Sequence, residues 1–168
     1  RMISETMLQA INEQINRELY SAYLYRAAAS ALASDNYPGM SAWMSAQAAE
    51  ENEHADKFVR FVEDRDGRVV FDAIDNPSAD FSSPLAALEG ALEHERLITR
   101  HINDLYEMAV GEKDRAAQVL LSWFVTEQVE EEASVGLIVE KLRRAGKDSA
   151  ALLMLDSELG QRSGGDGE

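Results

Sequence analysis

The sequence predicts an all-α fold: a four-helix bundle with a long crossover between helices two and three, plus a short C-terminal fifth helix. Three observations lead there. Proline and glycine are sparse and clustered, at Asp35 to Gly39, Gly67 to Pro84, near Gly111, at Gly146 and from Gly160 onward. The four long stretches between those clusters are rich in Ala, Leu, Glu, Gln and Arg and hold no internal proline. Along each of them, core-type residues recur three and four apart, the period of a helix face.

The first helix carries its stripe at Leu8, Ile11, Ile15, Glu18, Ala22, Tyr25, Ala29 and Leu32, and the second at Met40, Met44, Gln47, Glu51, His54, Phe58 and Phe61. The third gives Leu85, Leu88, Leu92, Glu95, Thr99, Ile102, Tyr106 and Ala109. The fourth gives Ala117, Leu121, Phe124, Gln128, Glu131, Val135, Ile138, Leu142 and Ala145. Short links at Ser34 to Pro38 and around Gly111 join antiparallel neighbours. The stretch Gly67 to Ser83 is long enough, at about 3.3 Å per residue, to run the length of the bundle, so helices two and three are expected to be parallel. Val69, Val70, Phe71, Ile74 and Phe81 are expected to hold that crossover against the bundle. Ser149 is expected to cap the fifth helix, whose leucines need a partner surface. Residues 1–160 read as one domain and 161–168 as a polar, glycine-rich loose tail.

Composition narrows the function. With 31 acidic and 16 basic residues the chain carries a formal charge of −15, which repels nucleic-acid backbones and anionic membranes and favours cations. Cysteine is absent, which removes disulfides, thiol catalysis and thiolate metal sites. No apolar run is long enough for a membrane span and no signal segment is evident. A reducing cytoplasm is the expected location.

The informative feature is where polarity breaks the stripes. Glu18, Glu51, His54, Glu95, Gln128 and Glu131 each fall near the middle of their helix, and helix midpoints meet at one level whatever the direction of their neighbours. Four carboxylates, one imidazole and one amide are thus expected in one buried layer. Unpaired carboxylates there would cost several kcal/mol each, and no Lys or Arg lies in any stripe at that level. Two divalent ions balance four carboxylates charge for charge. Oxygen-rich ligation with one imidazole suits iron or manganese better than structural zinc. Glu51 and His54, three apart, can reach one ion. Gln128 is either a ligand or a neighbour of one. Glu50, Glu127 and Glu130 form either a looser adjacent site sharing Glu131 or a solvated acidic face. Tyr25 is either a core aromatic or a donor to the site. Trp123 is expected to pack in the core, and His94 and His101 to lie on the surface.

At these residues the chain resembles the bacterial non-haem ferritins. The matching segments are NEQINRELYSAYLY (Asn12 to Tyr25), AEENEH (Glu50, Glu51, His54), EHERLIT (Glu95) and SWFVTEQVEEE (Glu127 to Glu132), and the likeness continues through AGKDSAALLMLDSELG. The resemblance implies a ferritin-like fold and iron storage by a ferroxidase, which oxidises Fe(II) with O2 or H2O2 before mineral forms inside a homo-oligomeric shell of twenty-four subunits. It implies a first iron held by Glu18, Glu51 and His54. A second would be held by Glu51, Glu95 and Glu131, with Gln128 nearby, and a third by Glu50, Glu127, Glu130 and Glu131. Tyr25 and Trp123 match aromatic residues beside the two-iron centre. The fourth helix lacks the second E-x-x-H of bacterioferritins, and their haem methionine falls at Asn52, so no haem is expected. An oxidase of organic substrates and a non-catalytic helical bundle or metal buffer are the rival readings.

Overall fold

Residues 2–162 are described in the structure, a computed structural model. Among them the regular elements are all helical: α1 (Glu5–Ser34), α2 (Pro38–Asp64), α3 (Pro84–Gly111), α4 (Arg115–Ala145) and α5 (Ser149–Leu159). The first four make the expected bundle and α5 is the short fifth helix.

Local chemistry sets the boundaries. Ser4, Ser83 and Asp114 accept from backbone amides of the first turns of α1, α3 and α4, satisfying donors that a helix start leaves orphaned. Pro38 and Pro84 stand in the first turns of α2 and α3, where a missing N–H costs nothing. The caps of α5 differ from expectation. Asp148, not Ser149, is the N-cap, its carboxylate accepting from the Ala151 amide at 2.9 Å. Ser149 is instead the first helical residue, because the acidic side chain one position earlier already serves that amide.

The helix ends fix the directions. Ser4 at the start of α1 donates to Glu112 after α3, Ile3 N–H donates to the Arg65 carbonyl after α2, and Arg65 clasps Asp114 before α4 with bonds of 2.9 and 2.8 Å. One end of the bundle therefore gathers the starts of α1 and α4 with the ends of α2 and α3. Helices α2 and α3 run parallel, as the length of the crossover requires.

That crossover is held differently from the expectation. Val69 and Phe81 do pack on the core, but Val70, Phe71 and Ile74 are exposed in the single chain. The segment is fastened by its backbone to one face of α1. Asn12 donates to the Arg68 carbonyl at 3.1 Å and accepts from Val70 N–H at 3.0 Å. One turn on, Asn16 donates to the Asp72 and Ala73 carbonyls at 3.4 and 3.0 Å. Side-chain amides four apart thus serve backbone groups that an extended segment leaves unpaired.

The core is in two blocks. Met7, Ile11, Ile15, Phe58, Ile102, Leu121 and Phe124 fill one, with the Phe58 and Phe124 rings stacked at 4.1 Å. Leu32, Met40, Met44, Leu88, Val135, Leu142 and Leu155 fill the other. Helix α5 closes the second block by lending α2 a cap. The buried Asp156 carboxylate accepts from the amides of Gly39 at 3.2 Å and Met40 at 2.8 Å, at the positive end of the α2 dipole. The backbones meet there so closely that a Cβ on Gly39 would lie 1.8 Å from the Asp156 carbonyl oxygen. Gly39→Ala should therefore force α5 from its seat and uncap α2, lowering stability by about 1–3 kcal/mol. An unchanged melting temperature, with slow hydrogen exchange retained at Met40, would contradict this packing.

Candidate metal centre

Between the two apolar blocks lies a polar layer. Glu18 comes from α1, Glu51 and His54 from α2, Glu95 from α3, Gln128 and Glu131 from α4, and each is at most 4% exposed. The mid-stripe breaks in the four helices thus arrive at one level. Ligand atoms lie within 4.8 Å of one another in three overlapping groups: Glu18, Glu51 and His54; Glu51, Glu95 and Glu131; and His54, Glu127 and Glu131. Glu51 belongs to the first two, placing its carboxylate between Glu18 on one side and Glu95 and Glu131 on the other.

Neutral donors hold the carboxylates in place. Gln14 Nε2 donates to Glu18 at 3.1 Å. Gln47 Nε2 donates to Glu51 at 3.4 Å and also to Glu131. Gln128 Nε2 donates to the Glu95 carboxylate at 3.1 Å and to Thr99 Oγ1 at 3.2 Å, so its amide orients Glu95. The Tyr25 hydroxyl donates to the other oxygen of Glu95 at 2.6 Å, which makes Tyr25 both a core aromatic and a donor to the layer. His54 Nδ1 lies 3.2 Å from Glu51 Oε2, and its Nε2 lies 3.7 Å from Glu127 Oε1. Glu18 Oε2, wholly buried, has no donor.

This is a strained electrostatic arrangement. Burial, then the charges of Glu95, Glu18 and Glu131, push the Glu51 carboxyl well above its ordinary value. Burial raises Glu18 too, against the partial relief of His54. Glu131 is pushed up to about 9 by burial and by Glu95. Burial and the neighbouring carboxylates also raise the Tyr25 phenol, keeping it protonated as a donor. For His54 burial favours the neutral ring, but the Glu127 carboxylate facing Nε2 and the surrounding carboxylates outweigh it and raise the value. Among the described residues, no lysine or arginine pairs with Glu18, Glu51, Glu95 or Glu131. Such a cluster is satisfied by protons or by metal cations.

Beside the layer, between α2 and α4, is a cavity of about 220 Å³ lined by Glu50, Glu127, Glu130 and Glu131, with Trp43 and Arg162 at its wall. Of the alternatives for Glu50, Glu127 and Glu130, a solvated acidic face describes only Glu130, which is exposed. Glu127 is buried and Glu50 half-buried. Sequence reasoning did not single out Gln14 and Gln47, although each sits four residues before the glutamate it serves, the spacing of neighbours on a helix face.

Three side chains lie elsewhere than expected. Trp123 is 37% exposed rather than in the core. Its ring lies edge-on to His54 at 5.5 Å and beneath the Lys57 ammonium at 4.1 Å, making an outer wall for the imidazole. His94 is half-buried, with its Nε2 2.6 Å from the Ser21 hydroxyl, and burial holds its value below that of a free imidazole. Arg162, expected in a loose tail, is fixed by an ion pair to Glu50 at 2.7 Å; residues 163–168 of that tail lie outside the described residues.

A four-helix bundle whose midpoints converge on buried carboxylates and one imidazole defines a class of candidate metal-binding bundles. Residues 8–145 match the family of ferritin-like domains, and the chain belongs to the ferritin family. It is 38% identical to the bacterial non-heme ferritin of Staphylococcus aureus (strain MRSA252), over 96% of this chain and 98% of that one. It is 40% identical to the bacterial non-heme ferritin of Bacteroides fragilis (strain 638R), over 96% of this chain and all of that one. Among solved structures, an open-pore ferritin from the hyperthermophilic archaeon Archaeoglobus fulgidus superposes with a TM-score of 0.94 at 52% identity, covering 96% of this chain and 99% of that chain.

The raised carboxyls have a consequence for stability. A folded, metal-free chain keeps on Glu131, up to about pH 9, a proton that the unfolded chain releases near the ordinary value of 4.5. Stability should accordingly fall as pH rises between those values. Melting temperatures of chelator-treated protein should decline across that window, and either Glu131→Gln or an added divalent ion should flatten the decline. A slope identical in all three samples would contradict the assignment of that titration to this layer.

Proposed function

We propose that this protein stores iron and acts as a ferroxidase, oxidising Fe(II) in the polar layer before ferric mineral is deposited inside a multi-subunit shell. Family membership and fold support the iron-storage role. The observation that carries the ferroxidase reading is the buried carboxylate layer, above all Glu18 Oε2, a wholly buried oxygen with no donor. Glu18, Glu51 and His54 are the ligands proposed for one ion, and Glu51, Glu95 and Glu131 those for the other, with Glu51 between them. Gln128 is assigned to orienting Glu95 rather than to a metal. Glu50, Glu127 and Glu130, with Glu131, are proposed to take a third ion in the adjoining cavity.

In this reading the protein brings two Fe(II) ions and the oxidant together and offsets their charge. Two electrons from the two ions, with two protons, reduce O2 to hydrogen peroxide. When H2O2 is the oxidant, the same electrons and two protons give two waters. Tyr25, hydrogen-bonded to Glu95, is placed to steady that carboxylate or to supply an electron. The acid-lined cavity suits onward passage of cations better than the organic substrate an alternative oxidase would need. The exposed apolar side chains of the crossover, Val70 and Phe71, and of α5, Leu153 and Met154, are surfaces suited to subunit contacts, and twenty-four copies is the stoichiometry we propose. No helix among the described residues is long and apolar enough to cross a membrane, and the cytoplasm is the proposed location. Residues 1–160 are proposed to act as one domain.

Mixing metal-free protein with Fe(II) and O2 tests the proposal. Oxidation should run faster than in buffer, and Glu51→Ala and His54→Ala should each bring it to the buffer rate while native mass stays that of the assembled shell. Wild-type protein no faster than buffer would refute the ferroxidase reading.

A further inference from the structure

The cavity beside the layer already holds a positive group belonging to the chain. Arg162 Nη2 lies 2.7 Å from Glu50 Oε1, and Nη1 donates to Gln47 Oε1 at 3.1 Å and to the Trp43 carbonyl at 3.3 Å. The guanidinium sits over the Trp43 ring at 4.7 Å. Arg162 and Glu50 are both largely shielded, with 15% and 19% of their side chains exposed. Four kinds of contact converge on one planar group: carboxylate, amide oxygen, backbone carbonyl and aromatic face.

The position of Arg162 is imposed by the fold. Asp156 fastens α5 to the start of α2. Gly160 then passes so close to Gly39 that a Cβ on Gly160 would meet the Gly39 Cα at 3.0 Å. Two residues later the chain delivers Arg162 to the mouth of the cavity. The contact also reaches the layer itself, since the Gln47 amide that Arg162 holds by its oxygen donates through its nitrogen to Glu51 and Glu131.

We infer that Arg162 is a built-in counter-cation of this cavity, competing with a third divalent ion for Glu50 and so weakening that ion's binding. The inference rests on the third-ion reading above. An ion drawing Glu50 into its shell must break the Arg162 pair and give up the stacking on Trp43. By linkage, the same ion must loosen the chain at the end of α5. Arg162, tethered three residues past the end of α5, competes intramolecularly, at an effective concentration set by the fold rather than by the cations in solution. The ligands proposed for the two ions of the main layer make no direct contact with it and are reached only through Gln47. Third-ion occupancy is thereby made selectively weak and reversible, as suits an ion in transit.

Anaerobic calorimetric titration of the assembled protein with Zn(II), a redox-inert probe, separates the possibilities. Wild type, Arg162→Lys and Arg162→Ala should each bind two tighter equivalents per subunit, with affinities that shift by less than about threefold, since Arg162 reaches Glu51 and Glu131 only through Gln47. The third, weaker equivalent should tighten at least tenfold in Arg162→Ala and stay within about threefold of wild type in Arg162→Lys. In wild type, the third equivalent should also speed hydrogen exchange in the last turn of α5. A third equivalent of equal affinity in wild type and Arg162→Ala, or the lack of one in both, would overturn the inference and leave the two-ion centre standing. Failure of wild type to bind the two tighter equivalents would instead overturn the metal-layer reading, and this inference with it.

Discussion

The organising constraint is a plate of acidic groups set across the middle of an apolar bundle, where burial opposes their charge. Four carboxylates from four helices are nearly sealed from water, and in a medium of low polarity each exacts several kcal/mol. The remaining architecture is arranged to bear that load. Two separate apolar blocks, above and below, supply the burial that holds the helices together. Amides and a phenol supply hydrogen bonds without adding charge. A guanidinium or ammonium within the plate would have relieved the strain permanently. Among the described residues none enters it, which leaves the relief to protons or to cations.

The two faces of the plate are not equivalent. At Glu18 of α1 and Glu95 of α3 only neutral donors meet the carboxylates, Gln14 at the first and Gln128 and Tyr25 at the second. Towards α2 and α4, Glu127 touches His54, and Glu131 is shared with the cavity of Glu50 and Glu130. On the second face the acidic groups grade in burial, from exposed Glu130 to half-buried Glu50 and then buried Glu127 and Glu131.

The bundle was legible in the sequence because helix period and proline and glycine punctuation are local signals, and the parallel pair followed from chain length alone. The plate was legible for the same reason: a glutamate in the middle of an apolar stripe can be seen without knowing its partners. What could not be seen depends on distant backbone. Val70 and Phe71 look like core residues, yet the crossover is tied down by Asn12 and Asn16, whose bonds to carbonyls more than fifty residues away leave no trace in hydropathy. Trp123 looks like a core tryptophan, but its helix turns it to the bundle edge, where Lys57 covers it. Gln14 and Gln47 carried a readable spacing; Arg162 carried none, since its neighbours are glycines and polar residues and its place is decided by how α5 docks.

That docking shows how a short helix at the chain end acquires a bearing on the centre. Asp156 completes the first turn of α2, supplying a carboxylate to amides that Tyr37 leaves without a side-chain cap. From that anchor the chain turns past Gly39 and sets a cation against Glu50 and Gln47. Gln47 sits one turn before Glu51 on the same rigid rod, and its single amide spans Glu51 and Glu131. A displacement at α5 therefore bears on two of the four carboxylates through one side chain, whereas Glu18 and Glu95 accept instead from Gln14 and Gln128. The division follows from which helix α5 caps, since Gln47 and Glu50, the two side chains that the following arginine holds, both lie on α2.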